Sequence, residues 1–598
     1  MSWRAVAVVA GALALSPAAA AAAQPERPVY DERGRIVEIP FVPAFEKPRL
    51  TKQRATRILL AERKVADWLE RYPVKGRITD ATYDRTYRDW TVKVWWGQAG
   101  QIALGRVADE SALVTEAWTG PQVAWKMARG YDGAFGGKKI NSPYVWLAFC
   151  AAFLLGLADL RRPLSLRNLD LLALLSFSVS LWFFNRGDVF TAIPLVYPPL
   201  LYLIGRAAWV GVRGTRGRAV VPVWPIWLLA AATVFLAGFR VGLNVRASNV
   251  IDVGYSGVIG AHRISHGESP YGNFPTQGDL KPCGEADRDG ETRKRIQTNG
   301  RCESSNDRGD TYGPVAYLSY LPGYWILGWD GDWDSLPAVH LTSILFDLLC
   351  IAGLALVGRR FGGNRLAATL AFAWAAYPFT QYASSSNTND AILPAFLIFG
   401  FWLVTSPPGR GAFAALAGWT KFAALLLVPL WLSYPDSLRS PRRKLAFAAA
   451  FCLATLVSFS VLFLEPNPIH AARVFWDRTI GWQLGRDSPF SLWDWGQYHA
   501  RGIPDLHVVQ RVLQGLLVAA AAGVAFFPRR KNPLQLAALT AALLMGFQLV
   551  LTHWFYLYIP WFFPFAAFVA LASVPAPRRA EAVVPAHERA SRELVAAG

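Results

Sequence analysis

From Tyr144 to about residue 573, apolar positions run in long blocks, and polar positions are confined to the stretches between them. A helix needs about 20 apolar residues to cross the hydrocarbon core of a bilayer. On that measure the blocks 143–160, 169–184, 190–210, 223–243, 338–357, 365–382, 391–405, 445–464, 507–527, 533–552 and 555–573 predict membrane-spanning helices. Two further stretches resist simple counting. Residues 312–328 are apolar enough to span, but a crossing there would carry the basic loop at Arg359, Arg360 and Arg365 to the wrong side. Pro314, Pro322 and the many Tyr suit an interfacial segment instead. A single span over 412–433 would likewise displace the basic run from Arg439 to Lys444. Two short helices, 412–420 and 422–433, keep that run in place and put Lys421 at the tip of a hairpin. The pattern thus predicts a mainly α fold, a polytopic bundle of about thirteen helices, two of them short.

The first 142 residues follow other patterns. MSWR and then AVAVVAGALALSPAAAAAAQ give a positive start, an apolar core and an Ala-rich cleavage region, so 1–23 reads as a signal peptide removed near Ala23. The exported segment 24–142 opens Pro-rich to Leu50. An amphipathic helix follows from Lys52 to Arg71, with Ile58, Leu59, Val65, Trp68 and Leu69 on one side. Trp90, Val92, Val94 and Trp96, then Ile102 and Leu104, then Val114 and Trp118 alternate as half-buried antiparallel strands do. The expected result is a small α+β domain. In shape it resembles a PepSY-type module, which implies binding or scaffolding. Residues 143–222 read as accessory transmembrane helices, 223–573 as the transmembrane core and 574–598 as a polar cytoplasmic tail.

Charge supports this layout and gives it a direction. Charged residues are 17% of the chain, against about 25% in soluble domains. The net charge of +19 could suggest nucleic acid. The basic residues fall in short clusters between apolar blocks, however: Arg161, Arg162 and Arg167; Arg213, Arg216 and Arg218; Arg529, Arg530 and Lys531. That is the positive-inside signature of cytoplasmic loops, so the partner is membrane lipid rather than nucleic acid. With 24–142 outside, 161–167 and 211–222 fall inside, and 244–337 becomes a large outer loop. Among the five Cys, Cys150, Cys350 and Cys452 sit in apolar blocks as packing residues, whereas Cys283 and Cys302 share the polar outer loop and are placed to pair in an oxidising compartment.

Three outer loops hold the candidate chemistry. In 244–337, Asp252 follows a span, and Asp310 and Tyr312 precede the interfacial segment. A carboxylate at the membrane boundary can serve as general base towards a hydroxyl; equally, Asp252 can simply cap the next helix. The short loop 383–390, ASSSNTND, offers Asn387, Asn389 and Asp390 to a sugar, or forms a solvated turn with Asp390 as an N-cap. Loop 465–506 mixes Arg473, Arg478 and Arg486 with Trp476, Trp482, Trp493 and Trp495. Arg grips phosphate through its planar fork, and the same residues suit interfacial anchoring. Lys421 suits a phosphate, or snorkels to the surface. His262, His266, His470, His499 and His553 match no zinc spacing; His262 and His266 lack the Glu of the metalloprotease motif. Asp347, inside a span, needs a partner to be tolerated there.

The order of these features resembles the GT-C superfamily of membrane glycosyltransferases, and within it glycosyltransferase family 87. The likeness covers about 223–573. It is carried by DVGYSGVIGAHRISHGESPYG, DTYGPVAYLSYLP, SNTND, GRGAFAALAGWTKFAALLLVPLWL, RDSPFSLWDW and HWFYLYIPWFFPF. The resemblance implies transfer of a sugar from a polyprenyl-phosphate donor to a glycan, glycolipid or protein acceptor outside the cytoplasmic membrane. Asp252 would be the base and Asp390 its helper, and Lys421 and Arg486 would hold the donor phosphate, where charge develops as it leaves. Asp252 is followed by Val253 rather than a second carboxylate, a departure from the usual pattern. Some GT-C enzymes use a divalent metal; no dedicated ligand cluster is legible. Two other classes stay open: a transporter or flippase, which predicts paired intramembrane charges and matching halves, and a non-catalytic scaffold, which predicts that Asp252 is dispensable.

Overall fold

In the computed structural model, residues 29–30, 36–38 and 48–572 are described, except 86, 98–100, 121–122, 124–132, 134, 215–223, 273–294, 297–301, 304–308, 332–334, 437–439, 485–487 and 499–503. The signal peptide, the tail, Arg486, His499 and Cys283 lie outside the described residues, and with them the Cys283–Cys302 pairing. The chain divides into two units, Met1–Thr51 and Lys52–Gly598. In the first, Val29–Tyr30 pairs antiparallel with Ile36–Glu38.

The second unit opens with the expected α+β element. The amphipathic stretch forms two helices, Lys52–Ala61 and Arg63–Leu69, broken at Glu62, whose backbone is extended. Four antiparallel strands follow in sequential order, Arg77–Asp84, Asp89–Trp96, Gln101–Ala108 and Val114–Thr119. Leu59, Val65, Val92, Val94, Ile102 and Leu104 are buried together, which is what the alternation requires. Gly105 lets the helix seat: a Cβ there would meet Leu59 Cδ1 at 2.1 Å. Inside the sheet Arg106 is held by Asp89 through two bonds of 2.9 and 2.6 Å.

The rest is mainly helical. Among the described residues six helices are long and apolar enough to cross a membrane: Leu166–Phe184, Val189–Arg213, Ile226–Ala247, Pro337–Ala376, Pro441–Leu464 and His507–Phe526. Shorter apolar helices lie beside them at Pro143–Leu157, Asn389–Trp402, Phe422–Ser433, Pro533–Leu549 and Tyr556–Leu571. Pro337–Ala376 is two arms, broken at Gly362 and Gly363, the latter at φ 68°. The second arm ends at Tyr377, earlier than the expected 382, because Pro378 starts a separate buried helix, Pro378–Ser385. The stretch over 312–328 forms two short helices, Pro314–Leu318 and Leu321–Leu327, with Trp325 and Ile326 exposed.

The 412–433 hairpin has the form read from the charges. Pro407–Thr420 stops at Lys421, whose backbone is extended, and the chain returns through Phe422–Leu427 and Val428–Ser433. Arg410 donates to the Tyr434 carbonyl at 2.9 Å, which closes the hairpin at the end opposite Lys421. At that same end Arg360 bonds Thr405 Oγ1 at 2.7 Å, the Lys531 amide donates to the Pro435 carbonyl at 2.9 Å, and Gln535 reaches the Gly211 carbonyl at 3.2 Å. Gly211, Arg360, Arg410 and Lys531 therefore gather at one end of the bundle, and Lys421 lies at the other.

Candidate functional site

At the Lys421 end, three polar segments converge. The loop after Pro378–Ser385 turns at Asn387, which takes a left-handed backbone, φ 51°. Its side chain stabilises the turn: Nδ2 donates to Ser248 Oγ at 2.9 Å and to the Asn249 carbonyl at 2.8 Å, and Oδ1 accepts from Asn244 Nδ2 at 2.9 Å. Asn387 thus serves the loop's shape. The turn delivers Asn389 and Asp390, both about 1% exposed, and Asn389 Oδ1 has no hydrogen-bond partner among the described residues. Thr388, rather than Asp390, caps the short 3₁₀ turn that follows.

Asp390 Oδ1 faces Lys421 Nζ at 3.1 Å and accepts from Trp561 Nε1 at 3.0 Å. The ammonium also lies over the rings of Tyr312, Trp561 and Tyr558, at 4.6, 5.4 and 5.7 Å from their centroids. Aromatic faces stabilise a desolvated cation, so the charge is held away from solvent by one carboxylate and three rings. Lys421, Asp390 and Tyr312, three of the residues singled out from the sequence, are brought together. Trp561 and Tyr558 stand in the HWFYLYIPWFFPF stretch, which gave neither of them a role.

Tyr312 is positioned from the neighbouring loops. Its carbonyl accepts from Tyr271 Oη at 3.0 Å, and its amide donates to Tyr317 Oη at 3.2 Å. Burial pushes both phenols well above the ordinary range, and Asp310 adds to the shift in each, so both stay protonated. Asp310 is fully buried. It accepts two bonds from Arg478 Nε, at 2.8 and 2.6 Å, with Arg478 Nη2 at 2.6 Å from Oδ1, and Oδ2 accepts the Gly272 amide at 2.7 Å. Gln483 reinforces this join with a 2.9 Å bond to Thr311 Oγ1. Asp310 and Arg478 therefore form a clamp between two loops.

Asp252 begins the helix Asp252–Ser265 and is half-buried; Ile251, not Asp252, holds the capping position. This helix packs on the 387–390 turn. A Cβ at Gly254 would meet the Asn387 carbonyl at 2.1 Å, and one at Gly257 would meet the Tyr320 ring at 2.4 Å. Its last turn carries His262, which bonds Tyr324 Oη at 2.9 Å and is pushed down by burial towards the neutral form. His553 bonds Ser488 Oγ at 2.8 Å. Among the described residues no group of three His, Cys, Asp or Glu could hold a metal.

Asp347 has the partner it needs. Arg240, on the facing span, donates Nε to Asp347 Oδ2 at 2.8 Å, and Nη2 also bonds the carboxylate. Trp374 Nε1 adds a third bond at 2.8 Å. No family model matches the chain, and no curated protein matches it.

Proposed function

We propose that the protein is an integral membrane glycosyltransferase that moves a sugar from a polyprenyl-phosphate donor to a cell-envelope acceptor. The topology we infer has about thirteen crossings, with the basic loops cytoplasmic and the Lys421 end extracytoplasmic. The observation that carries the reading is the Lys421 centre: an aromatic-ringed ammonium only 9% exposed beside Asp390, at the bundle end away from Arg360, Arg410 and Lys531. Such a cation suits a leaving phosphate, because charge that develops there meets a fixed donor in a low-dielectric setting. Donor binding would exchange the Asp390 carboxylate for the phosphate. Asp390 would then be released towards the acceptor, with Asn389 Oδ1 beside it to accept a sugar hydroxyl. Asp252, on the helix packed against this turn, is the proposed base. Arg478, committed to Asp310, acts as a positioning residue, and Arg486 remains a proposed phosphate contact.

The Arg240–Asp347 pair is the observation that favours a transporter, since paired intramembrane charges are what that class needs. Its remaining Nη1 is already directed at Thr380 Oγ1 and the Ala375 carbonyl, at 3.2 and 3.3 Å. A pair so fully bonded serves as a brace between spans. The test is product formation by the purified protein in lipid vesicles, with a panel of synthetic polyprenyl-phosphate sugars and envelope glycolipid extract. A glycosylated product is expected with one donor. Vectorial movement of the donor without a new glycosidic bond would contradict the reading.

A further inference from the structure

Away from Lys421, the last strand of the four-stranded sheet, Val114–Thr119, forms a sheet edge, and it faces the link 185–188 between two spans. Gly187, at φ 79°, lets the two surfaces approach: a Cβ there would meet the Trp118 ring at 1.7 Å. Between them lies a cleft of about 450 Å³, inside the ~300–1,000 Å³ range of ligand sites. Lys64, Thr115, Glu116, Trp118, Arg186 and Asp188 contribute to its lining. Two cations and two carboxylates cancel, so the cleft has no single-sign field to draw a polyanion or a polycation. What it does have is a dense set of planar groups and a hydroxyl able to bond vicinal hydroxyls, next to an indole that can pack the apolar face of a ring. The groups are held rather than loose. Lys64 Nζ donates to the Ala117 carbonyl at 2.8 Å, Trp118 Nε1 donates to Glu116 at 3.2 Å, and the Arg186 guanidinium stacks 3.4 Å from the centroid of the Trp182 ring.

We propose that this cleft holds a neutral, hydroxyl-rich saccharide, and that in the transferase reading, on which this last step rests, the saccharide is a distal part of the acceptor chain. The α+β element would then be a glycan clamp fused to the membrane core. The test uses the full-length protein in nanodiscs and five probes: maltotetraose, mannotetraose, galactotetraose, arabinotetraose and, as an anionic control, dextran sulfate. Binding is read by calorimetry, and transfer to envelope glycolipid is measured separately. One tetrasaccharide is expected to bind, and Arg186→Ala and Glu116→Gln are each expected to weaken it about tenfold, the value of one charge-assisted hydrogen bond, with thermal unfolding unchanged. Binding without any transfer would support the cleft while refuting the transferase. Transfer by a wild type that binds none of the probes would overturn the cleft and leave the transferase. Binding insensitive to both variants, or found only for dextran sulfate and lost in salt, would also overturn it.

Discussion

Lys421 and Asp390 pair inside the bundle, so the proposed chemistry there has to be separated from stability. Breaking a buried pair on one side leaves an uncompensated charge, at a cost of about 3–5 kcal/mol. Lys421→Met is therefore expected to lower the unfolding temperature sharply and to abolish transfer. Lys421→Met combined with Asp390→Asn should regain most of the stability and none of the activity. Unfolding in detergent with a parallel transfer assay checks both, and a double variant that regains activity would remove the pair from the site. The sequence revealed Lys421 because charge bookkeeping across the bilayer required a break there. Trp561 and Tyr558 lie in the HWFYLYIPWFFPF stretch, but its hydrophobicity says nothing of which ring faces a cation. Arg240 was hidden differently: it lies 107 residues from Asp347, and no local pattern joins them.

Whole elements are positioned by close approaches. In an unhindered helix Gly→Ala is favourable by about 1 kcal/mol. Gly254→Ala should reverse that sign, because its Cβ would press on the Asn387 carbonyl and lift Asp252–Ser265 off the 387–390 turn. Gly242→Ala, in a span where a Cβ meets nothing within 4 Å, should keep both stability and transfer. Equal outcomes for the two would mean that the helix does not need its seat. The loop clamp makes a second prediction. If Arg478 acts through Asp310 on Tyr312, Arg478→Met should lower the unfolding temperature, because it strands the buried Asp310, and in the folded fraction raise the donor KM about tenfold with a smaller fall in kcat; Arg478→Lys should lie between, since it keeps the charge and loses the fork. A fall confined to kcat would instead point to a direct phosphate contact. Element types and most boundaries followed from hydrophobic runs and proline positions. The break at Tyr377 did not, because the apolar pattern continues through it and only Pro378 marks the stop.

At the scale of the molecule, the two ends of the bundle differ in kind. One collects Gly211, Arg360, Arg410 and Lys531, tied largely through carbonyls; the other collects the Asp252, Asp310, Asn387–Asp390, Lys421 and Arg478 segments. This sidedness was already present in the alternation of basic and neutral loops, whereas the site's assembly depends on contacts between segments more than a hundred residues apart, such as Asp310 with Arg478. Single cysteines at Arg186 and His470 should react with an impermeant maleimide in intact cells. Cysteines at Arg161 and Arg530 should react only after permeabilisation, and the reverse pattern would invert the topology. Single-turnover sugar transfer in lipid, comparing wild type with Asp252→Asn, is the decisive measurement for the proposed enzyme. Product is expected from the wild type, with a loss of about 10²–10⁴-fold in the variant, the usual worth of a general base, and unfolding unchanged. Equal transfer by both would remove Asp252 from the chemistry, and no transfer by either, across the donor panel, would contradict the enzyme itself.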